Sequence, residues 1–229
     1  MRMEIHLKLT SDATFGRGDG VAGLIDSEVE HDEYGLPYLR GRTLKGLLVE
    51  ECANILYALQ GSAALSRFES AAQFLFGKAG STLSDDALMR VGAALLPEEL
   101  RQAVRADIKA IPPRLTPDEV LQSLTAIRRQ TTVDDKTGAP EKNSLRSLRV
   151  ILRETVFIAR LDFDRNPDDE AKALLAACVM SLRRAGTGRN RGRGRLESSL
   201  CDAQGNDVSA KHFNRFKSVI TANHQGVAQ

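Results

Sequence analysis

VILRETVFIARLDFDRNPDDEAKALLAACVMSLRRAG, residues 150–186, reads as a strand followed by a helix, and that unit sets the fold. Thr155, Phe157, Ala159, Leu161 and Phe163 fall on one side of an extended chain, the period-two signature of a half-buried strand. Pro167, Asp168, Asp169 and Glu170 open the helix. An early proline loses no hydrogen bond there, and acidic side chains suit the positive end of the helix dipole. Leu174, Leu175, Cys178, Val179 and Leu182 repeat at helical spacing, and Gly186 is expected to end the helix. Beyond it, Arg195–Cys201 is expected to be a strand, and the polar tail after His212 is expected to be loose.

A similar unit lies at the other end of the chain. Met3, Ile5, Leu7 and Leu9 alternate with Glu4, His6 and Lys8, which predicts a strand. Thr43 is placed to cap a helix carrying Leu44, Leu47, Leu48, Cys52, Ile55, Leu56 and Leu59, with Gly61 after it. Leu88–Leu96 predicts a second strand with Met89, Val91, Ala93 and Leu95 on one face. Short helices are expected after Pro97 and Thr116, giving a helical insertion over about 97–127. The polar, turn-rich stretch 128–149 carries DDKTGAPEKN between basic flanks and is expected to be a projecting hairpin or a flexible loop. The order strand, helix, strand, insertion, strand, helix, strand is α+β. It is the ferredoxin-like βαββαβ pattern shared with the RNA-recognition module, without that module's base-stacking aromatic motif.

Composition narrows the function classes. Charged residues make up 27% of the chain, but the net charge is only +2, so any polyanion site must come from local clustering. Cys52, Cys178 and Cys201 show no CxxC spacing, which argues against a zinc site or a disulfide framework; Cys52 and Cys178 fall on apolar helix stripes and belong to the core. No segment approaches the ~18 apolar residues that a membrane span needs, and the first residues read as a strand and not as a signal peptide; a cytoplasmic protein is expected.

The clustering is found at Arg183–Arg195, RRAGTGRNRGRGR, with six arginines, four glycines and no acid. Glycines let backbone N–H groups approach an anion, and arginines bind phosphate in bidentate fashion. The P-loop and dinucleotide fingerprints both fail here: no Lys-Ser or Lys-Thr follows the glycines, and Arg191 stands where GxGxxG needs glycine. A sugar-phosphate backbone is the expected ligand. Arg40, Arg42 and Lys45 flank Gly41 and Gly46 at a helix start, a second place suited to anions. Asp26, Glu28, Glu30 and Asp32 alternate, so an extended chain would put four carboxylates on one side, where they could hold a divalent cation. His31 beside them is a candidate general base. DKTG at 135–138 mimics the phosphorylation motif of ion-pumping ATPases, but no membrane helix accompanies it.

Phe15-Gly16-Arg17-Gly18, Gly23-Leu24-Ile25-Asp26-Ser27 and the run Asp32–Gly46 (DEYGLPYLRGRTLKG), taken in order, resemble the RAMP superfamily of CRISPR-associated proteins. Thr132–Ala139 is similar to the family's "ID-x-x-TGxA" hairpin, and Gly186–Arg195 to its C-terminal glycine-rich loop, so the resemblance runs over most of residues 1–229, read as one RAMP domain. The sequence departs from the pattern at Arg40 and Arg42, where the family more often has a small or hydrophobic residue and serine. The nearest likeness is to backbone subunits of type III effector complexes. That likeness implies a CRISPR guide RNA, complementary target RNA, other effector subunits and copies of this chain as partners. It implies that the hairpin after Arg128 and Arg129 acts as a thumb that wedges between guide and target. It implies RNA contacts at Arg17, Arg40, Arg42, Lys45, Arg128, Arg129, Arg189, Asn190, Arg191 and Arg193. It also implies target cleavage at Asp26 with a divalent cation, Mg²⁺ or Mn²⁺, bound at Asp26. The rival expectations are a non-catalytic guide-RNA scaffold, and a metal-independent endonuclease that trims the guide precursor through His31.

Overall fold

The computed structural model describes residues 1–18, 20, 25–77, 87–131, 137–139 and 144–222. Residues 23–24 of the second motif and 132–136 of the hairpin motif, which include the first two residues of DKTG, lie outside the described residues. The chain is a mixed α and β protein with antiparallel sheets.

The main sheet contains β1 (Arg2–Leu9), β2 (Met89–Leu95), β5 (Val156–Phe163) and β6 (Leu196–Cys201), in the order β2-β5-β1-β6. β1 lies in the middle, with Ile5 opposite Ala159 on one side and Leu200 on the other. Its odd residues Met3, Ile5, Leu7 and Leu9 are buried, together with Phe157, Ala159, Leu161 and Phe163 of β5. This apolar face is covered by α1 (Gly41–Ala58) and α5 (Asp169–Ser181), and α5 packs in turn on α2 (Leu65–Phe76) and α6 (Ser209–Ala222). α5 is therefore buried around most of its circumference, from Ala173 to Val179, which its small alanines permit. Asp168 caps it, accepting from the Ala171 N–H at 2.7 Å.

A second, two-stranded sheet pairs β3 (Thr125–Gln130) with β4 (Arg146–Ile151), after α3 (Glu98–Lys109) and α4 (Pro117–Leu124). α4 starts on a capping box in which Thr116 and Glu119 satisfy each other's backbone N–H groups.

Five expectations need correction. Residues 150–163 are two strands: the chain turns at Leu152–Thr155, with Glu154 at φ 71° donating its N–H to the Leu9 carbonyl, so β4 and β5 enter different sheets. In β2, three steps from Val91 to Ala94 oppose two from Leu161 to Ala159, a bulge that flips the alternation and buries Ala94 and Leu96 in place of Ala93 and Leu95. Thr43 caps nothing; α1 starts at Gly41, whose missing side chain lets the helix approach the β2 bulge (a Cβ there would sit 2.3 Å from the Val91 carbonyl oxygen). α5 ends at Ser181, before Gly186. The tail after His212 continues as α6, with Phe216 and Val219 buried and Phe216 packed 4.7 Å from the Phe68 ring. The three cysteines are free and buried; Cys52 and Cys178 lie in the core, as their helix stripes suggested.

Candidate functional site

Residues 10–17, which follow β1, tie the arginine-glycine loop to the small sheet. Ala13 pairs with Ile151 of β4, while the Thr14 carbonyl accepts the Thr187 N–H at 2.9 Å and its hydroxyl donates to the Arg149 carbonyl at 2.9 Å. The loop closes on itself where the Ala185 N–H donates to the Gly194 carbonyl at 2.9 Å, and Gly194 donates to the Asp12 carbonyl at 2.9 Å. Left-handed glycines, Gly188 and Gly192, bracket a 3-10 turn at Arg189–Arg191 that holds three polar side chains out of the loop.

Three clefts meet around this loop. The first, 280 Å³, is lined by Asp26, Ser27, Gln130, Arg146, Leu148, Thr187, Gly188, Arg191 and Arg193. The second, 860 Å³, runs past the root of β3 and is lined by Thr10, Ser11, Asp12, Arg128, Arg129, Leu152, Arg153, Glu154, Gly192 and Arg193. The third, 330 Å³, lies between the loop and the start of α1 and includes Arg40, Glu50 and Arg189. Arg193 belongs to the first two and Thr187 to the first and third, so the clefts form one basic strip.

The candidate residues distribute along this strip. Asp26 is exposed at its centre; its N–H donates to the Ser147 carbonyl at 2.8 Å, and its Oδ2 accepts the Ser147 N–H at 2.6 Å, stitching it to the edge of β4. Arg191 is exposed beside it, and Arg193 donates to Gln130 at 3.1 Å. Arg189 makes a two-pronged pair with Glu50 at 3.0 and 3.1 Å. Arg128 is held by Asp12 at 2.9 and 3.0 Å, and Arg129 stands beside it in the same cleft, opposite Ser147 in the β3–β4 ladder. Asn190 is exposed on the 3-10 turn. Arg42 and Lys45 occupy the first turns of α1 but stand outside the three clefts. Arg17 is exposed, with its N–H on the Glu28 carbonyl at 3.1 Å. Arg146 and Arg153 were not singled out from the sequence; Arg146 is the first residue of β4, at the far end of the hairpin's basic flank. Arg42, Arg129, Arg146 and Arg191 form no ion pair among the described residues.

The four alternating carboxylates do not converge. Glu28 is buried against Arg149 at 2.8 Å, Glu30 takes Tyr38 and Arg40, and Asp32 closes its own turn by accepting from the Tyr34 and Leu36 N–H groups at 2.9 and 3.0 Å. Of the four, Asp26 faces the first cleft and Glu30 borders the third. His31 hydrogen-bonds the Asp32 carbonyl through Nδ1 at 3.0 Å, away from Asp26's cleft. Among the described residues, no three His, Cys, Asp or Glu side chains are placed to share a metal ion.

Burial pushes the Glu30 carboxyl up, but hydrogen bonds from Arg40 and Tyr38 outweigh it and leave it below the usual glutamate range. A carboxyl lowered on folding contributes stability above its unfolded value and loses it as pH falls through the folded value. Wild type is therefore expected to unfold at a higher temperature than Glu30→Gln at neutral pH, with the gap closing in acid below the ordinary glutamate range. Thermal melts of both proteins across that range check this.

The chain is an α+β protein with an antiparallel sheet backed by helices, and its arginine-lined strip beside a glycine-rich loop has the charge that suits a polyanion. A family model described as "RAMP superfamily" matches residues 6–197, and the chain belongs to that superfamily. A search of curated proteins finds no match. Among solved structures it resembles chains of a type III-B Cmr-beta complex, one in the apo state and one bound to cognate target RNA. Each has a TM-score of 0.60 and 13% identity, and the alignment covers 87% of this chain and 97% of that one. No helix among the described residues is long and apolar enough to cross a membrane.

Proposed function

We propose that this chain is a guide-RNA-binding backbone subunit of a type III CRISPR effector complex, working beside other effector subunits and copies of itself, and that it cleaves complementary target RNA at Asp26. The observation that carries the reading is the continuous basic strip with one exposed carboxylate at its centre. The four-stranded order β2-β5-β1-β6 supports a ferredoxin-like core, and the β3–β4 ladder supports a thumb rising from residues 128–149 of the same domain. Arg17, Arg40, Arg42, Lys45, Arg128, Arg129, Arg189, Asn190, Arg191 and Arg193 would hold RNA, with guide phosphates on the loop and on the start of α1.

The divalent cation is a proposal with a narrow fit. Asp26 Oδ1 has no hydrogen-bond partner among the described residues and is the one carboxylate oxygen available in its cleft. A single carboxylate suits an ion whose other ligands are water and phosphate oxygens, as is common for Mg²⁺. Such an ion, when bound, supplies charge that stabilises the leaving oxygen. The chain's own part is to fix Asp26 through its two bonds to Ser147 and to hold the phosphates with Arg146, Arg191 and Arg193.

Binding is tested by salt. About six cationic contacts to single-stranded RNA give log K against log salt a slope of about −4, at roughly −0.7 per contact. Arg191→Ala is expected to flatten the slope by about 0.7. A slope near zero for the wild type would remove the RNA-binding reading.

A further inference from the structure

The third cleft is built differently from its neighbours. Phe15, Leu39 and Leu47 give it apolar walls, and Gly16, Gly46 and Gly186 leave it unobstructed. Phosphates have no use for such walls. We propose that this cleft takes one unstacked nucleobase of the bound RNA, whichever base it is. The proposal rests on the RNA-binding reading above and adds a base site to the phosphate sites.

Glu30 supplies the polar end. It is 7% exposed; its Oε1 accepts from Tyr38 at 2.9 Å and Arg40 at 2.8 Å, while its Oε2 is buried with no hydrogen-bond partner among the described residues. An acceptor left unmade in the interior is costly, and a ligand N–H relieves that cost. Arg40 is the movable part, with 60% of its side chain exposed. When a phosphate takes its guanidinium, the carboxylate is opened to a new donor. Every RNA base has an N–H donor on its pairing edge: an amino group in adenine, cytosine and guanine, and the ring N3–H in uracil. One carboxylate oxygen therefore serves all four bases without reading sequence. Arg189 also lines the cleft, paired with the half-exposed Glu50, and would take a neighbouring phosphate. The volume, 330 Å³, falls in the range of small-ligand pockets, roughly 300–1,000 Å³.

Gly46 ties the cleft to the sequence. It lies inside α1, where glycine is a poor helix former, and a Cβ built on it meets nothing within 4 Å. No packing requires a glycine there. An open cleft does.

The test uses the full chain and two probes of equal length, a single-stranded RNA and an abasic ribose-phosphate oligomer. Wild type is expected to bind RNA about 10-fold more tightly than the abasic probe, the scale of one base on an aromatic or apolar wall. Gly46→Leu fills the cleft and is expected to bring RNA down to the abasic level while leaving abasic binding unchanged. Gly46→Ala is expected to fall between, and carries the test if the leucine variant does not fold. Equal wild-type affinity for the two probes, or undiminished RNA preference in both variants, overturns the base site and leaves phosphate binding standing. Wild type that binds neither probe overturns both readings.

Discussion

Asp26→Ala is expected to lower target-RNA cleavage by the assembled complex by about 100-fold or more, since losing a metal-binding carboxylate costs at least what loss of its supporting shell does. Guide binding is expected to stay intact. Asp26 is exposed, and the variant gives up one side-chain bond to an edge strand while keeping the backbone bond to Ser147 at 2.8 Å. Asp26→Asn sharpens the result: it keeps an oxygen for the Ser147 N–H but removes the charge, and is expected to be as inactive as the alanine variant. Three outcomes separate the readings. Cleavage lost with binding kept supports catalysis at Asp26. A wild-type complex silent under every divalent metal supports a pure scaffold, a reading that the lone carboxylate in the cleft favours. Cleavage of guide precursor that survives a chelator and disappears in His31→Ala supports the metal-independent enzyme, although His31 is turned toward the Asp32 carbonyl.

Gly194→Val is expected to destabilise the protein by about 3 kcal/mol or more and to abolish RNA binding together. Gly194 has φ 65°, and a Cβ on it would lie 1.9 Å from the Ala185 carbonyl oxygen, so the loop has to open to admit any side chain. Opening it breaks the Ala185–Gly194 and Gly194–Asp12 bonds, both 2.9 Å, which set the arginines on the strip. Gly192→Ala is the control. It has φ 83° with nothing within 4 Å, so it pays only the left-handed backbone cost of about 1–2 kcal/mol. Denaturant midpoints for the two variants should differ clearly; equal midpoints would mean that Gly194 is not pinned as described.

The sequence was most legible where local pattern and tertiary role coincide. β1, the apolar face of α1, the acidic start of α5 and β6 all follow from period and capping, because each faces a single core. It was least legible where partners lie far along the chain. Glu28 of the acidic row is neutralised by Arg149, 121 positions away, and Arg189 of the basic loop is held by Glu50, 139 positions away, pairings that local pattern cannot show. α6 was misread for a related reason: Phe213, Phe216, Val219 and Ile220 are modest helix formers amid polar residues, and the helix is fixed by packing on Phe68 and α5. α2 drew no reading from the sequence, because its residues carry no side-chain cap and no acidic start. In the β2 bulge, Gly92 in a strand was the available sign that alternation would slip.

The central position of β1 has a consequence for how the protein is made. β1 leaves the ribosome well before its two neighbours, β5 and β6, which end at Phe163 and Cys201. The strip is likewise sewn from residues 10–17, 26–30, 128–153 and 186–195. Chains emerge at about 5–20 residues per second, so on the order of ten seconds or more separate the first strand from its last partner. During that interval the growing polypeptide carries an apolar strand without a sheet and arginines without a common surface. On the proposed function, affinity for nucleic acid arrives late, only once β6 and the loop before it have joined the fold, so unfinished copies would not be assembled onto RNA.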